Sequence, residues 1–169
     1  TGIDLQGEAR GVLPSTEWKK NTFKKPEQQK WYEGETISLG IGQGYNAFTI
    51  LQLAHAMANV ANNGIVMKPH LVKAIEDPFT RNRVLTTPKE SYRIDLNQEN
   101  IEIIKKAMVE VNNSGTSAAA FKGVGYPVGG KTGTAQVFSL NSKDYKHGAT
   151  AEFLRDHALY IAFAPADKP

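Results

Sequence analysis

Gly129-Gly130-Lys131-Thr132-Gly133-Thr134-Ala135-Gln136-Val137-Phe138 places one cation and two hydroxyls side by side, with glycines on both sides of Lys131-Thr132. The lysine supplies positive potential and the threonines supply donors, so a ligand with a carboxylate or an amide carbonyl would find partners here. The glycines matter as much as the polar groups. Lacking a Cβ, they let a substrate or another backbone approach closely and carry little penalty for unusual φ values. From Gly133 onward apolar and polar residues alternate, as in a strand at a sheet edge that can present such groups.

Part of this stretch also closes a different motif. Gly125-Tyr126-Pro127-Val128-Gly129-Gly130-Lys131-Thr132 satisfies G-x-x-x-x-G-K-[ST], the phosphate-binding P-loop, letter for letter. A P-loop needs a buried apolar strand before it and a helix opening at its Lys-Thr, so that helix N-terminal amides meet the phosphates. Ala119-Ala120-Phe121-Lys122-Gly123-Val124 is too broken for a core strand, and the residues after Lys131 lean toward strand. Context therefore speaks against the P-loop. Gly40, Gly42 and Gly44 invite a dinucleotide reading too, but the fingerprint's third glycine is not at its proper place. Thr36 to Tyr45 reads instead as a tight turn whose backbone passes close under a site.

The elements that must position these residues can be read in order. Thr1 to about Tyr32 is rich in Gly, Pro, Lys and Gln, so residues 1–35 are expected to be a loop-rich connector pinned by the rings of Trp18 and Trp31. From about Ala47 to Asn62, Ile50, Leu53, Ala54, Met57, Ala58 and Ala61 recur on one helical face. His55 falls off that stripe and has no second ligand four residues away, which predicts a boundary histidine. Asn63-Gly64 closes the helix. A strand fits Ile65 to Ile75, interrupted by Pro69, followed by a hairpin-like excursion over Asp77 to Thr87 with a short strand near Arg83-Val84-Leu85. A second helix runs from Gln98 to about Asn112, capped by Asp95 or Asn97, with Ile101, Ile104, Met108 and Val111 inward and Lys105, Lys106 and Glu110 outward. Thr116 to Phe121 predicts a short helix. Ser139 to Ala149 reads as a polar loop, Ala151 to Arg155 as a short helix, and Ala158 to Phe163 as a strand that pairs antiparallel with the Lys131 strand.

Composition sets limits on all of this. With 169 residues, 40% hydrophobic and 22% charged, the chain is long enough for one domain with a real core. Net charge of +3 argues only weakly for an acidic partner. The five lysines from Lys19 to Lys30 are interleaved with Glu17 and Glu27 nearby, and no nucleic-acid-binding motif accompanies them, so they read as a solvated loop. Zero cysteines exclude disulfides and thiolate metal sites, and no cofactor or metal is expected. The chain has no initiator Met, signal peptide or long apolar run, which makes an excised or processed piece the expectation.

Several stretches taken in order resemble one family. Ser38 to Tyr45, Leu51-Gln52-Leu53-Ala54, Ala61-Asn62-Asn63-Gly64, Gly115-Thr116 and Gly130-Lys131-Thr132-Gly133-Thr134-Ala135-Gln136 are similar to the transpeptidase domain of class B penicillin-binding proteins. The Lys-Thr-Gly box is that family's motif alongside Ser-x-x-Lys. Thr1-Gly2-Ile3-Asp4-Leu5 with Gly7-Glu8, and Leu154-Arg155-Asp156-His157-Ala158 leading to Ala162-Phe163-Ala164-Pro165, resemble its elongation-type branch in rod-shaped Gram-negative bacteria. The chain departs from the family in one respect. None of its seven serines, Ser15, Ser38, Ser91, Ser114, Ser117, Ser139 and Ser142, has lysine three residues on. Ser139-Leu140-Asn141 follows the Lys-Thr-Gly box where the family's Ser-x-Asn precedes it, and reads as coincidence. The resemblance thus implies the C-terminal part of a transpeptidase domain, with the nucleophile upstream of Thr1.

The implied fold is α/β (α+β), part of the αβα sandwich of penicillin-binding proteins and β-lactamases, an antiparallel sheet covered by helices. The implied chemistry is serine acyl transfer on peptidoglycan stem peptides, imitated by β-lactams. Lys131 would supply positive potential, Thr132 and Thr134 would bind the substrate carboxylate, and Gly133 would let the substrate backbone lie against the strand. The Thr134 backbone N–H would be half of an oxyanion hole, so this chain alone is expected to be inactive. The resemblance further implies the periplasmic face of the inner membrane, an N-terminal anchor outside this chain, and cell-elongation proteins as partners, with no nucleic acid. Two other readings compete: a non-catalytic interaction module of a cell-wall protein, and a P-loop NTPase. Without the nucleophile-bearing helices, the Ile50 to Ala61 face should expose apolar surface and favour association.

Overall fold

The computed structural model describes residues 1–136 and 155–169. The expectations for Val137, Phe138, Ser139 to Ala149 and Ala151 to Leu154 lie outside them. The chain divides into two compact units, one of residues 1–9, 49–131 and 161–169, the other of residues 10–48 and 132–160. Helices and strands mix in both, which makes the fold α/β. The strands among the described residues form three two-stranded sheets.

The helices of the first unit begin at α4 (Ile50–Ala61), which follows α1 (Thr16–Thr22), α2 (Pro26–Gln29) and α3 (Glu33–Gly40) of the other unit in the chain. Its periodicity reaches back to Ala47, yet the helix starts at Ile50 because Thr49 caps it. The Thr49 hydroxyl accepts from the Gln52 N–H at 3.1 Å, and the Gln52 side chain accepts from the Thr49 N–H at 2.9 Å. That reciprocal pair is a capping box and satisfies two otherwise unpartnered donors. The helix stops where expected: Asn63 and Gly64 take φ of 54° and 86°. Only glycine fits at position 64, since a Cβ there would stand 2.5 Å from the Ile94 carbonyl oxygen.

The single interrupted strand expected over Ile65 to Ile75 is instead two. β1 (Ile65–Met67) pairs antiparallel with β4 (Glu90–Arg93), while β2 (Ala74–Glu76) pairs antiparallel with β3 (Arg83–Leu85). The hairpin between β2 and β3 turns on Asp77, whose carboxylate accepts from the N–H groups of Phe79 at 2.8 Å and Thr80 at 2.7 Å. These backbone donors, Thr80 first, hold the Asp77 carboxyl below its ordinary value.

Helix α5 (Gln98–Asn113) is capped by Asn97, whose side chain accepts from the Asn100 N–H at 3.0 Å. Its buried positions are Ile101, Lys105, Met108 and Asn112, so the inward stripe is rotated from the expected one. Ile104 is exposed, and Lys105 is buried with its Nζ donating to the Asn63 side chain at 2.6 Å. A lysine stem is apolar, so it can line a core provided its ammonium finds an acceptor. Asn112 likewise turns inward and donates to the Val128 carbonyl at 2.6 Å. The short α6 (Ala118–Phe121) comes next in the chain. Among the described residues, Ala61, Met108 and Phe163 form a buried hydrophobic cluster with Met57 and Ala166 packed against it, and Val66, Ile101 and Val128 are buried as well.

In the second unit, α1 (Thr16–Thr22), α2 (Pro26–Gln29) and α3 (Glu33–Gly40) gather around Lys19. The lysine run read as a solvated loop is not uniform: Lys19 is only 3% exposed. Its Nζ pairs with the Glu35 carboxylate, donates to the Lys30 carbonyl at 2.7 Å, and faces the rings of Trp31, Tyr32 and Tyr45 at 5.3 to 5.9 Å. A cation over aromatic faces is attracted by their quadrupoles, and desolvation strengthens the attraction. Tyr45 also meets Trp18 and Phe23 at centroid distances of 5.3 and 5.7 Å. Residues Thr36 to Gly40, expected to be part of a turn, are the end of α3, and the turn is confined to residues 41–45.

Candidate active site

The Lys-Thr-Gly stretch is strand β5 (Gly129–Ala135), paired with β6 (His157–Phe163). Gly129 and Gly130 are buried, and Lys131, Thr132, Gly133 and Thr134 are exposed. The change from buried to exposed falls at the cation, so the strand is anchored by its two leading glycines and presents the four residues after them. The anchoring is steric. A Cβ on Gly129 would stand 2.4 Å from the Phe163 ring, so the strand can reach this depth only without a side chain.

Gly133 differs from Gly129. A Cβ there would meet only the Leu159 Cβ, at 3.8 Å, an ordinary contact. Packing against β6 does not demand glycine at this position. What glycine provides is clearance on a surface already open to solvent, which suits a partner laid along the strand.

Hydrogen-bonded to the exposed strand, and within the same unit as Thr132 to Ala135, is the turn after α3. Gly42 and Gly44 take φ of 76° and 74°, freeing the backbone to fold tightly around Gln43. The Gln43 N–H donates to the Ser38 carbonyl at 2.9 Å, and the Asn46 side chain donates to the Gln43 carbonyl at 3.1 Å. With its main chain held on both sides, Gln43 extends its Nε2 to the Thr134 carbonyl oxygen at 3.0 Å. The expectation of a glycine turn passing close under a site described the turn's shape and missed this side chain. The available signal was a glutamine between two glycines, where the backbone is free and only the side chain is specified.

His55 is half-buried, its Nε2 2.9 Å from the Met67 carbonyl oxygen, a boundary position as the sequence suggested. The P-loop reading finds neither of its neighbours: Lys131-Thr132 lies inside a strand, and the described chain before it is α6 and a turn. Among the described residues no group of His, Cys, Asp or Glu could hold a metal ion, and no helix is long and apolar enough to cross a membrane.

Strand β5 thus carries Gly-Gly-Lys-Thr-Gly-Thr with its two leading glycines buried and the next four residues exposed. Residues 1–169 match the family described as "Penicillin binding protein transpeptidase domain", and the chain belongs to it. Among curated relatives, it is 41% identical to the peptidoglycan D,D-transpeptidase MrdA of Haemophilus influenzae over 177 residues, covering 100% of this chain and 26% of that protein. The chain thus spans about a quarter of the relative's length. Among solved structures, Pseudomonas aeruginosa PBP2 in complex with WCK 5153 superposes with a TM-score of 0.73 at 37% identity, covering 98% of this chain and 33% of that one. The imipenem acyl-enzyme of Mycobacterium tuberculosis penicillin-binding protein A gives 0.58 at 31% identity, covering 78% and 26%.

Proposed function

We propose that this chain is the C-terminal part of a peptidoglycan D,D-transpeptidase domain of the elongation type, with the nucleophilic serine supplied by residues outside it. The reading rests chiefly on the exposed Lys131-Thr132-Gly133-Thr134 segment of β5 in a chain that matches the transpeptidase family along its whole length. In the reaction, the serine oxygen attacks the carbonyl of the D-Ala-D-Ala amide, the C–N bond breaks, and D-alanine leaves with a proton. An amine of a neighbouring stem then attacks the acyl-serine and regenerates the hydroxyl, so one difficult exchange becomes two easier ones.

Within that scheme, the Lys131 ammonium raises the positive potential where the substrate carboxylate binds. The Thr132 and Thr134 hydroxyls donate to that carboxylate. The substrate backbone lies along the strand over Gly133, where no side chain intervenes. The Thr134 N–H is one oxyanion donor and the serine's own N–H is the other. A β-lactam takes the place of the donor stem peptide and stops at the acyl-enzyme stage. The parent enzyme works at the periplasmic face of the inner membrane among cell-elongation proteins.

Intact mass spectrometry with penicillin tests this. The isolated chain should remain a single unmodified species at 18.5 kDa, and the full-length parent should gain one penicilloyl group. In the parent, Lys131→Ala should slow acylation by about 100-fold, the scale of removing one preorganised electrostatic group. A parent that is never acylated, or an isolated chain that is, would refute the reading.

A further inference from the structure

We infer that Gln43 is a positioning residue for the oxyanion donor of β5, an inference that rests on the transpeptidase reading above. Its Nε2 donates to the Thr134 carbonyl oxygen at 3.0 Å, across 91 residues of sequence. In an extended strand the N–H and C=O of one residue point to the same edge, which is why facing residues in a ladder exchange both bonds. A donor on the Thr134 carbonyl therefore stands at the edge the Thr134 N–H faces. It restrains rotation of the strand about the residue whose amide must meet the developing oxyanion.

The turn is built to hold that donor still. Gly42 and Gly44 have positive φ, and at Gly44 a Cβ would also meet the Ser38 Cβ at 3.4 Å. The Gln43 main chain is tied to Ser38 on one side and to Asn46 on the other, and Asn46 donates in addition to the Leu39 carbonyl at 3.4 Å. Only the Gln43 side chain remains to be placed, and it ends on β5. An oxyanion hole acts through donors that need no reorganisation during the reaction, so a tether of this kind bears on rate and not only on stability.

The test uses the full-length parent and the second-order rate of acylation by a fluorescent penicillin, with each variant divided by wild type at the same pH. Gln43→Met keeps the length and removes the donor, and should be slowed about three- to tenfold at every pH, the size of one neutral hydrogen bond. Gln43→Glu presents an acceptor to an acceptor when ionised and should be slowed by at least that much at pH 7.5. Its ratio to wild type should rise as pH falls to about 4.5, where a carboxyl regains a proton to donate. A merely structural glutamine would not give this convergence. Equal rates for both variants and wild type, or a Gln43→Glu deficit that is the same at every pH, overturns the inference while leaving the transpeptidase reading intact. Absence of labelling in wild type overturns both.

Discussion

Gly129→Ala is the substitution that most directly challenges the account of how β5 is seated. The added Cβ would stand 2.4 Å from Cζ and 2.5 Å from Cε1 of Phe163. Carbon atoms in contact normally lie about 3.5–4.0 Å apart, so the ring or the strand must retreat by about 1 Å. The ring atoms are the far end of a side chain, but this ring is not at liberty to swing. Phe163 is 8% exposed and forms the core with Ala61 and Met108. Overpacking of this kind costs about 1–3 kcal/mol. Each kcal/mol moves the melting temperature of a domain this size by about 2–4 °C. Thermal melts of the parent's transpeptidase domain should therefore shift down by several degrees in Gly129→Ala. Phe163→Leu, which removes the obstructing ring atoms, should relieve part of that loss when combined with it, giving a coupling of about 1 kcal/mol between the two sites. A Gly129→Ala protein within about 0.5 kcal/mol of wild type, as for an ordinary surface change, would refute the reasoning. So would a double variant whose losses merely add.

Two further outcomes follow from the same geometry. Thr134→Ala keeps the backbone N–H and loses only the hydroxyl that donates to the carboxylate, so it should lower the parent's acylation rate by about tenfold, the scale of one hydrogen bond to a charged group, whereas Thr134→Pro removes the amide donor and should lower the rate by about 100- to 1,000-fold; similar rates for the two would remove the amide from the mechanism. The Asp77 carboxyl, held below its ordinary value of 3.8 by the Thr80 and Phe79 N–H groups, should support the β2–β3 hairpin fully at neutral pH and lose that support as pH falls through its lowered value. An NMR titration of Asp77 with a midpoint at or above 3.8, or a Thr80 amide whose exchange protection is unchanged in Asp77→Asn, would contradict this.

How much of the molecule could be read from the sequence depended on whether local or distant partners decide each element. The Lys131 strand was legible because its glycines and alternation are local properties, and α4 because Ile50, Leu53, Ala54, Met57, Ala58 and Ala61 recur on one helical face, although its start at Ile50 is set by the Thr49 cap. The α5 face was misjudged at Lys105. Hydrophobic periodicity assigns a lysine outward, but the acceptor that lets this one turn in is Asn63, 42 residues away. The Ile65 to Ile75 segment looked like one strand because its apolar residues continue past Pro69. Its two halves belong to different ladders, with Met67 opposite Glu90 and Ala74 opposite Leu85. Helix α3 carried no apolar stripe and holds glycines at 34 and 40, so local signals pointed to a turn. Glu35 settles it by accepting from the Tyr32 N–H at 2.8 Å and by pairing with Lys19. Along β5 the exposed residues were readable by type, while the hydrogen bond from Gln43 to the Thr134 carbonyl is a contact that no spacing rule encodes.

The enclosure of Lys19 has a practical side. Amine-directed reagents attach to lysines whose nitrogen can meet the reagent in water, and four of the five lysines from Lys19 to Lys30 are exposed. The fifth has its ammonium spent on a carboxylate, a carbonyl and three aromatic faces. Dyes or surface tethers can therefore be installed along this segment without loosening what the segment is wrapped around, and a chain that takes up label at Lys19 has already come apart there.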